Sequence, residues 1–300
     1  MAASPLFPKL PPSWQEESLK TQDGNIHIRI FRHLNLSLGR LLFIVHGQAE
    51  QSDRYEHFAH YLNGTVDAIA CLDLPGHGLS AGKRGHIENF NQYDEAALSA
   101  FNATRQWMLQ RAAVCHTHWF GHSLGGLITL HTLLRNTDLP LKSVISSAPL
   151  LDLAFPVPKI KKFFGELIEP FWGSLHLSNE LNSDSISHDP SVAKAYQENP
   201  LNHQFVTPRF FVQMTRARME TSQQQGPFSY PLLMVIPLSD PIVSAPESLR
   251  FFEKLRMKDN LPKKLVTFPG FFHESFNEVN KDLAFNALDQ WIQCQEKTSS

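Results

Sequence analysis

The sequence predicts an α/β fold, with a mostly parallel central sheet, helices on both of its faces and a mainly helical cap inserted late in the chain. Three observations carry this. Six short stretches are apolar almost throughout, as strands buried on both faces are. Helix-compatible stretches alternate with them, the pattern of right-handed crossovers. The alternation lapses once, between about residues 150 and 225.

In chain order, "NIHIRIF" (25–31) alternates Ile26, Ile28 and Ile30 with polar neighbours, the period-two signal of a half-exposed strand suited to an antiparallel edge. The buried strands follow as "LLFIV" (41–45), "AIACLDL" (68–74), "HWF" (118–120), "SVISSA" (143–148), "LLMVI" (232–236) and "KLVTF" (264–268). Helices are predicted over 55–62, 94–113, 124–136, 245–257 and 281–295. The segment 150–225 is too long for a simple loop and too short for a second sheet, so it reads as a cap between two core portions, 1–149 and 226–300.

Composition narrows the function classes. At 300 residues and 42% hydrophobic content the chain can bury a continuous core without metal or disulfide. A net charge of −2 provides no field to gather nucleic acid, and none is expected as a partner. Cys71, Cys115 and Cys294 are odd in number and far apart, which favours free thiols in a reducing compartment. Prolines interrupt the N-terminal stretch where a signal peptide needs an apolar run, and no later stretch reaches a membrane-spanning length. The expectation is a soluble, cytoplasmic protein that can touch a membrane surface.

Within "THWFGHSLGGLITL" (117–130), Gly121-His122-Ser123-Leu124-Gly125 fits G-x-S-x-G, flanked by strand and helix as that motif requires. Small neighbours relieve crowding where a strained serine must hold its hydroxyl clear of the sheet. The competing reading is a Gly-Ser turn without chemistry, and partners decide between them. A serine needs a base, and the base an orienting acid, in the order Ser, Asp or Glu, His. His131 falls on the helix after the turn, His176, His188 and His203 fall in the cap, and His273 alone follows the last strand. His273 is therefore the candidate base. Asp240 ends the strand of 232–236 and is the candidate acid, with Asp152 in reserve. The oxyanion donors would be the N–H groups of Leu124 and of Gln48, the latter in the turn His46-Gly47-Gln48.

These residues, with "HGQAEQSDRYEHFA" (46–59), "LDLPGHGLSAGKRGHIENFNQY" (72–93), "SSAP" (146–149), "LSDPIV" (238–243) and "FPGFFHESFNE" (268–278), resemble the monoacylglycerol lipase and lysophospholipase branch of the α/β-hydrolase superfamily. The resemblance implies Ser123 as nucleophile, Asp240 as acid, His273 as base and Gln48 with Leu124 as oxyanion donors, beneath a cap through which acyl chains pass. It places Glu50 and Arg54 where an ion pair either braces the oxyanion loop or lies exposed on a helix surface. His77, Arg84 and His86 match family positions and suit structural hydrogen bonding. Many relatives have glycine shortly before the acid, whereas this chain has Pro237-Leu238-Ser239-Asp240.

The implied reaction is hydrolysis of a single-chain lipid ester through an acyl-enzyme, with no metal or organic cofactor. Carboxylesterase or acyltransferase chemistry would use the same triad, and peptidase activity is less expected. A non-catalytic relative serving as a binding protein would tend to lack a triad member, and none is missing. In the cap, "KIKKFFGELIEPFWGSL" (159–175) mixes Lys159, Lys161 and Lys162 with Phe163, Phe164, Phe171 and Trp172. That mixture suits either peripheral contact with a lipid surface or inward packing over the site.

Overall fold

In the computed structural model, residues 9–155, 172–178, 182–224 and 226–297 are described. The sheet begins with β1 (Trp14–Lys20), β2 (His27–His33), β3 (Arg40–Val45) and β4 (Ala68–Leu72), and continues with β5 (His116–His122), β6 (Leu141–Ser147), β9 (Leu232–Pro237) and β10 (Lys263–Phe268). The order across the sheet is β1-β2-β4-β3-β5-β6-β9-β10. The pairings from β4 through β10 are parallel, and only β1-β2 and β2-β4 are antiparallel.

Strand β3 shows why the apolar runs fold this way. Leu41, Phe43 and Val45 enter the core on one face of the sheet, while Leu42 and Ile44 enter the core on the other. The first face is covered by α2 (Asn91–Leu109) and α3 (Leu124–Arg135), which contribute Phe101 and Leu127. The second is covered by α1 (Phe58–Tyr61) and α7 (Asp282–Lys297), where Phe58 packs against Phe120, Phe276 and Phe285 at ring separations of 5.5, 5.3 and 4.8 Å.

Two expectations near the start of the chain need correction. Strand β2 is not an edge, because β1 pairs along its whole length and Arg29 and Arg32 meet Glu16 and Glu17 across that pair. The helix expected over 55–62 shrinks to α1, preceded by a tight 3-10 turn at Ser52–Tyr55 that the Gln51 side chain caps through Asp53 N–H.

Between β6 and β9, where the sequence predicts a cap, stand α4 (Pro190–Glu198) and α5 (Pro208–Gln223) and a two-stranded ribbon of β7 (Leu177–Ser178) and β8 (Phe205–Val206). Each helix starts with a capping side chain followed by proline: Asp189 accepts from Ser191 N–H, and Thr207 from Phe210 N–H. Helix α5 lies against α3, which anchors this segment over the sheet. Of the basic and aromatic residues expected to meet a lipid surface, Lys159, Lys161, Lys162, Phe163, Phe164 and Phe171 lie outside the described residues. Helix α6 (Ala245–Lys254), between β9 and β10, ends earlier than the sequence suggests, because Leu255 turns extended. Cys71 and Cys115 are buried, Cys294 is exposed, and all three are free.

Candidate active site

Ser123 sits between the last residue of β5 and the first of α3, with φ 54° and ψ −117°, a left-handed conformation that costs a non-glycine residue roughly 1–3 kcal/mol. The surroundings hold it there. Its N–H donates to Ser147 O at 2.9 Å, and its carbonyl accepts from Leu127 and Leu150 N–H, both at 3.0 Å. The glycines of the motif are needed for packing: a Cβ on Gly121 would lie 2.3 Å from Gly125 O, and one on Gly125 would lie 2.0 Å from Val45 O. Helix α3 thus approaches β3 and β5 as closely as backbone allows.

Asp240 follows β9, in a turn fixed by Leu238 N–H to Phe268 O (3.0 Å) and Ser239 N–H to Phe271 O (3.2 Å). No glycine is needed before the acid, because these two bonds to the loop after β10 define the turn. Asp240 Oδ1 accepts from Ile242 and Val243 N–H at 2.8 and 3.0 Å, leaving Oδ2 for His273 Nδ1 at 2.7 Å. That bond places the proton on Nδ1 and leaves Nε2 as an acceptor.

The electrostatics agree with the geometry. Burial pulls His273 toward its neutral form, but the Asp240 carboxylate, by charge and hydrogen bond, outweighs it and holds the imidazole pKa above its ordinary 6.5. Burial likewise opposes the charge on Asp240, yet His273 and the two N–H groups keep its carboxyl below the ordinary 3.8. His122, whose ring stands 4.8 Å from His273, is pushed down to about 4 by burial and by His273 itself, so it is neutral near pH 7.

Gly47 lies against the serine, as a Cβ there would come within 3.2 Å of Ser123 Cβ. This brings Gln48 to the nucleophile. The Gln48 and Leu124 N–H groups donate to no protein acceptor among the described residues, the state an oxyanion hole requires. Glu50 Oε1 accepts from Gly47 N–H at 2.5 Å and from Tyr55 OH at 3.0 Å, and Glu50 Oε2 meets Arg54. Of the two readings of Glu50 and Arg54, the buried brace is therefore the observed one. Burial disfavours the Glu50 charge, but Arg54, His122 and His46 outweigh it and bring its pKa to about 2.

Several candidates are held elsewhere. Asp152 pairs with Arg218 at 2.7 Å, and its carboxylate is half exposed. His131 is buried in α3 and bonds Asp94 at 2.7 Å. His188 bonds Glu278 at 2.8 Å, and His176 stacks on Phe205. His203 Nδ1 accepts from Phe205 N–H, His77 Nδ1 meets Pro75 O, Arg84 bonds Gly78 O, and His86 bonds Thr207.

Sequence reasoning missed Glu274 and Tyr196. Glu274, directly after His273, accepts two bonds from Arg54, and Tyr196 OH donates to Ala49 O at 3.1 Å beside the His203 N–H at 3.2 Å. Ala49 has φ 65°, so the loop after β3 is bent sharply and tied from both sides. The signal for Glu274 was a carboxylate inside an otherwise apolar and aromatic loop. Tyr196 carried none.

Ser123, His273, Gly47 and Gln48 line one cavity of about 200 Å³. Leu150, Ile186, Val206, Phe210, Met214 and Ile242 give it an apolar body. A chemically equipped polar end joined to an apolar chamber can hold an acyl group with its carbonyl against the serine. Among the described residues no helix is long and apolar enough to cross a membrane.

A family model described as serine aminopeptidase, S33 matches residues 38–280. A monoacylglycerol lipase of Mycolicibacterium smegmatis is 25% identical over 255 residues, covering 84% of this chain and 87% of that protein. An uncharacterized abhydrolase domain-containing protein of Dictyostelium discoideum is 28% identical over 254 residues, 83% of this chain but 26% of that protein's length. The solved structure of a monoacylglycerol lipase from Paleococcus ferrophilus superposes with a TM-score of 0.71 at 26% identity, over 94% of this chain and 99% of its own. With the family model spanning most of the chain and the sheet, elbow and cavity arranged as described, this protein belongs to the serine aminopeptidase S33 family of α/β-hydrolases.

Proposed function

We propose that this protein hydrolyses carboxylic esters of single-chain lipids, a monoacylglycerol or a lysophospholipid, with Ser123 as nucleophile, His273 as base, Asp240 as the orienting acid and Gln48 and Leu124 as oxyanion donors. The observation that carries the reading is the 2.7 Å bond from His273 Nδ1 to Asp240 at the cavity that Ser123 lines. His273 Nε2 takes the Ser123 proton as the oxygen attacks the carbonyl, and the two N–H groups hold the resulting oxyanion. The same imidazole then protonates the leaving alcohol, and water repeats the sequence on the acyl-enzyme.

The cavity body supports a long acyl chain over a peptide. An aminopeptidase must bind an ammonium group with a carboxylate, and the two carboxylates beside the site, Glu50 and Glu274, are both engaged by Arg54. The segment 150–225 acts in this reading as a cap over the acyl chamber. Its exposed Trp172, Leu175 and Leu177 and the neighbouring Phe205 suit peripheral contact with a lipid surface.

Turnover of a monoacylglycerol, a lysophospholipid and a short-chain aryl ester, measured side by side, tests the proposal. Long-chain glycerol or phospholipid esters are the expected substrates. Activity confined to the short aryl ester would overturn the lipid assignment.

A further inference from the structure

Of the polar side chains that line the cavity, Glu50, Arg54, Tyr196, His273 and Glu274 are paired within the protein. Arg54 is shared between Glu50 and Glu274, Tyr55 donates to Glu50, Tyr196 donates to Ala49 O, and Asn277 donates to Glu274 at 2.8 Å. Gln48 stands apart. It lines the cavity, yet both polar atoms of its carboxamide, Nε2 and Oε1, are shielded from solvent and have no hydrogen-bond partner among the described residues. A shielded amide without partners is costly to a folded protein, and such groups call for an explanation.

We propose that the Gln48 carboxamide is a specificity element that reads a free hydroxyl in the alcohol half of the substrate, on the carbon next to the esterified one. This rests on the ester-hydrolase reading above, because position follows from the oxyanion hole. If the Gln48 N–H holds the oxyanion, the scissile carbonyl oxygen lies about 3 Å from that nitrogen. The carboxamide atoms are four bonds from Gln48 Cα, a reach of roughly 5 Å. A hydroxyl on the carbon beside the ester carbon is also four bonds from the carbonyl carbon, so the two meet once the Gln48 side chain turns its shielded carboxamide into the cavity.

Chemistry selects the hydroxyl. A carboxamide offers donors on one side and an acceptor on the other, and a hydroxyl both accepts and donates. A phosphate directly at this point would instead meet the Glu50 and Glu274 carboxylates, which outnumber the Arg54 guanidinium between them. Leu150, Ile186, Phe210 and Met214 wall the acyl half, and the other carboxamides on the lining, Asn182 and Gln204, are exposed, so the alcohol half takes the polar end at Gln48. Monoacylglycerols and lysophospholipids both carry such a hydroxyl, and simple alkyl esters do not.

The experiment compares kcat/KM for three esters of one fatty acid, a 1-monoacylglycerol, the n-propyl ester and lysophosphatidylcholine, in the unaltered protein and in Gln48→Leu, with folding followed by thermal melting. The unaltered protein is expected to prefer a hydroxyl-bearing ester over the propyl ester by about ten- to a hundredfold, and Gln48→Leu to bring that ratio to within about threefold. Which of the two lipids shows the preference identifies whether the hydroxyl belongs to a glyceride or a phospholipid. A ratio that survives Gln48→Leu overturns the role of Gln48 and leaves the hydrolase reading standing. Turnover of the propyl ester with neither lipid accepted overturns the lipid reading and the role of Gln48 together. Should Gln48→Leu fail to fold, Gln48→Asn keeps the carboxamide but withdraws it by one carbon, and a ratio unchanged by that variant also overturns the proposal.

Discussion

Arg54 holds Glu274 by two parallel hydrogen bonds, Nη1 to Oε1 and Nη2 to Oε2, both 2.7 Å, across 220 residues of sequence. The pair ties the loop that carries Gln48 to the residue after His273, so the proposed oxyanion donor and the proposed base share one buried brace. Removing Glu274 leaves Arg54 with Glu50 alone and takes two charged hydrogen bonds from the buried guanidinium. Glu274→Ala is expected to cost about 3–5 kcal/mol of stability and to slow catalysis, while Glu274→Gln, which keeps the shape and one acceptor, costs less. Urea unfolding midpoints of the two variants check the order.

The strain at Ser123 predicts a difference between two inactive variants. Ser123→Ala keeps a Cβ at φ 54°, and Ser123→Gly removes it. Ser123→Gly is expected to be more stable than Ser123→Ala by about 1 kcal/mol, despite the entropy glycine adds to the unfolded chain. Calorimetry of both proteins at one pH decides it.

The raised pKa of His273 sets the pH profile. The base must be neutral to take a proton, so kcat/KM is expected to rise with pH and to reach half its plateau above pH 6.5, the ordinary imidazole value. Stability runs the other way. The interaction with Asp240 stabilises the protonated ring, so its contribution is full below pH 6.5 and fades as pH rises through the higher folded value. Asp240→Asn is expected to move the acid limb to lower pH and cut kcat by about four orders of magnitude, while Asp152→Asn, which loses only a half-exposed pair with Arg218, changes kcat less than about threefold. A pH series on the two variants separates the acid from its reserve candidate.

Acid sensitivity should come from the carboxylates beneath the site. Glu50 and Asp73 are brought down to about 2 against the opposition of burial, Glu50 chiefly by Arg54 and Asp73 by His27 and His46. Their contribution is present above the unfolded values of 4.5 and 3.8 and is lost as pH falls toward 2. Unfolding free energy measured from pH 7 to pH 3 is expected to hold nearly level to about pH 5 and then fall.

The sheet was legible because its central strands are buried on both faces, and apolar runs such as "LLFIV" have few alternatives. Strand β1 was not, since "WQEESLK" presents charges that find their partners only when Arg29 and Arg32 lie alongside. Ser123, Asp240 and His273 could be singled out as candidates because each follows a strand end, and strand ends are marked locally by glycine, proline and aspartate. Glu274 and Tyr196 act through contacts with Arg54 and Ala49 made by tertiary packing, which no local pattern encodes. The Gln48 amide belongs to the same class: its residue was named for its backbone N–H, and its unpartnered side chain emerged only with the cavity.

The central claim is that Ser123 is a nucleophile activated by His273 and Asp240. Treating the folded protein with a fluorophosphonate probe and mapping the adduct by mass spectrometry tests it most directly. One adduct on Ser123 is expected, absent in Ser123→Ala and formed far more slowly in His273→Ala. A folded protein that takes no label, or takes it on another residue, would contradict the account.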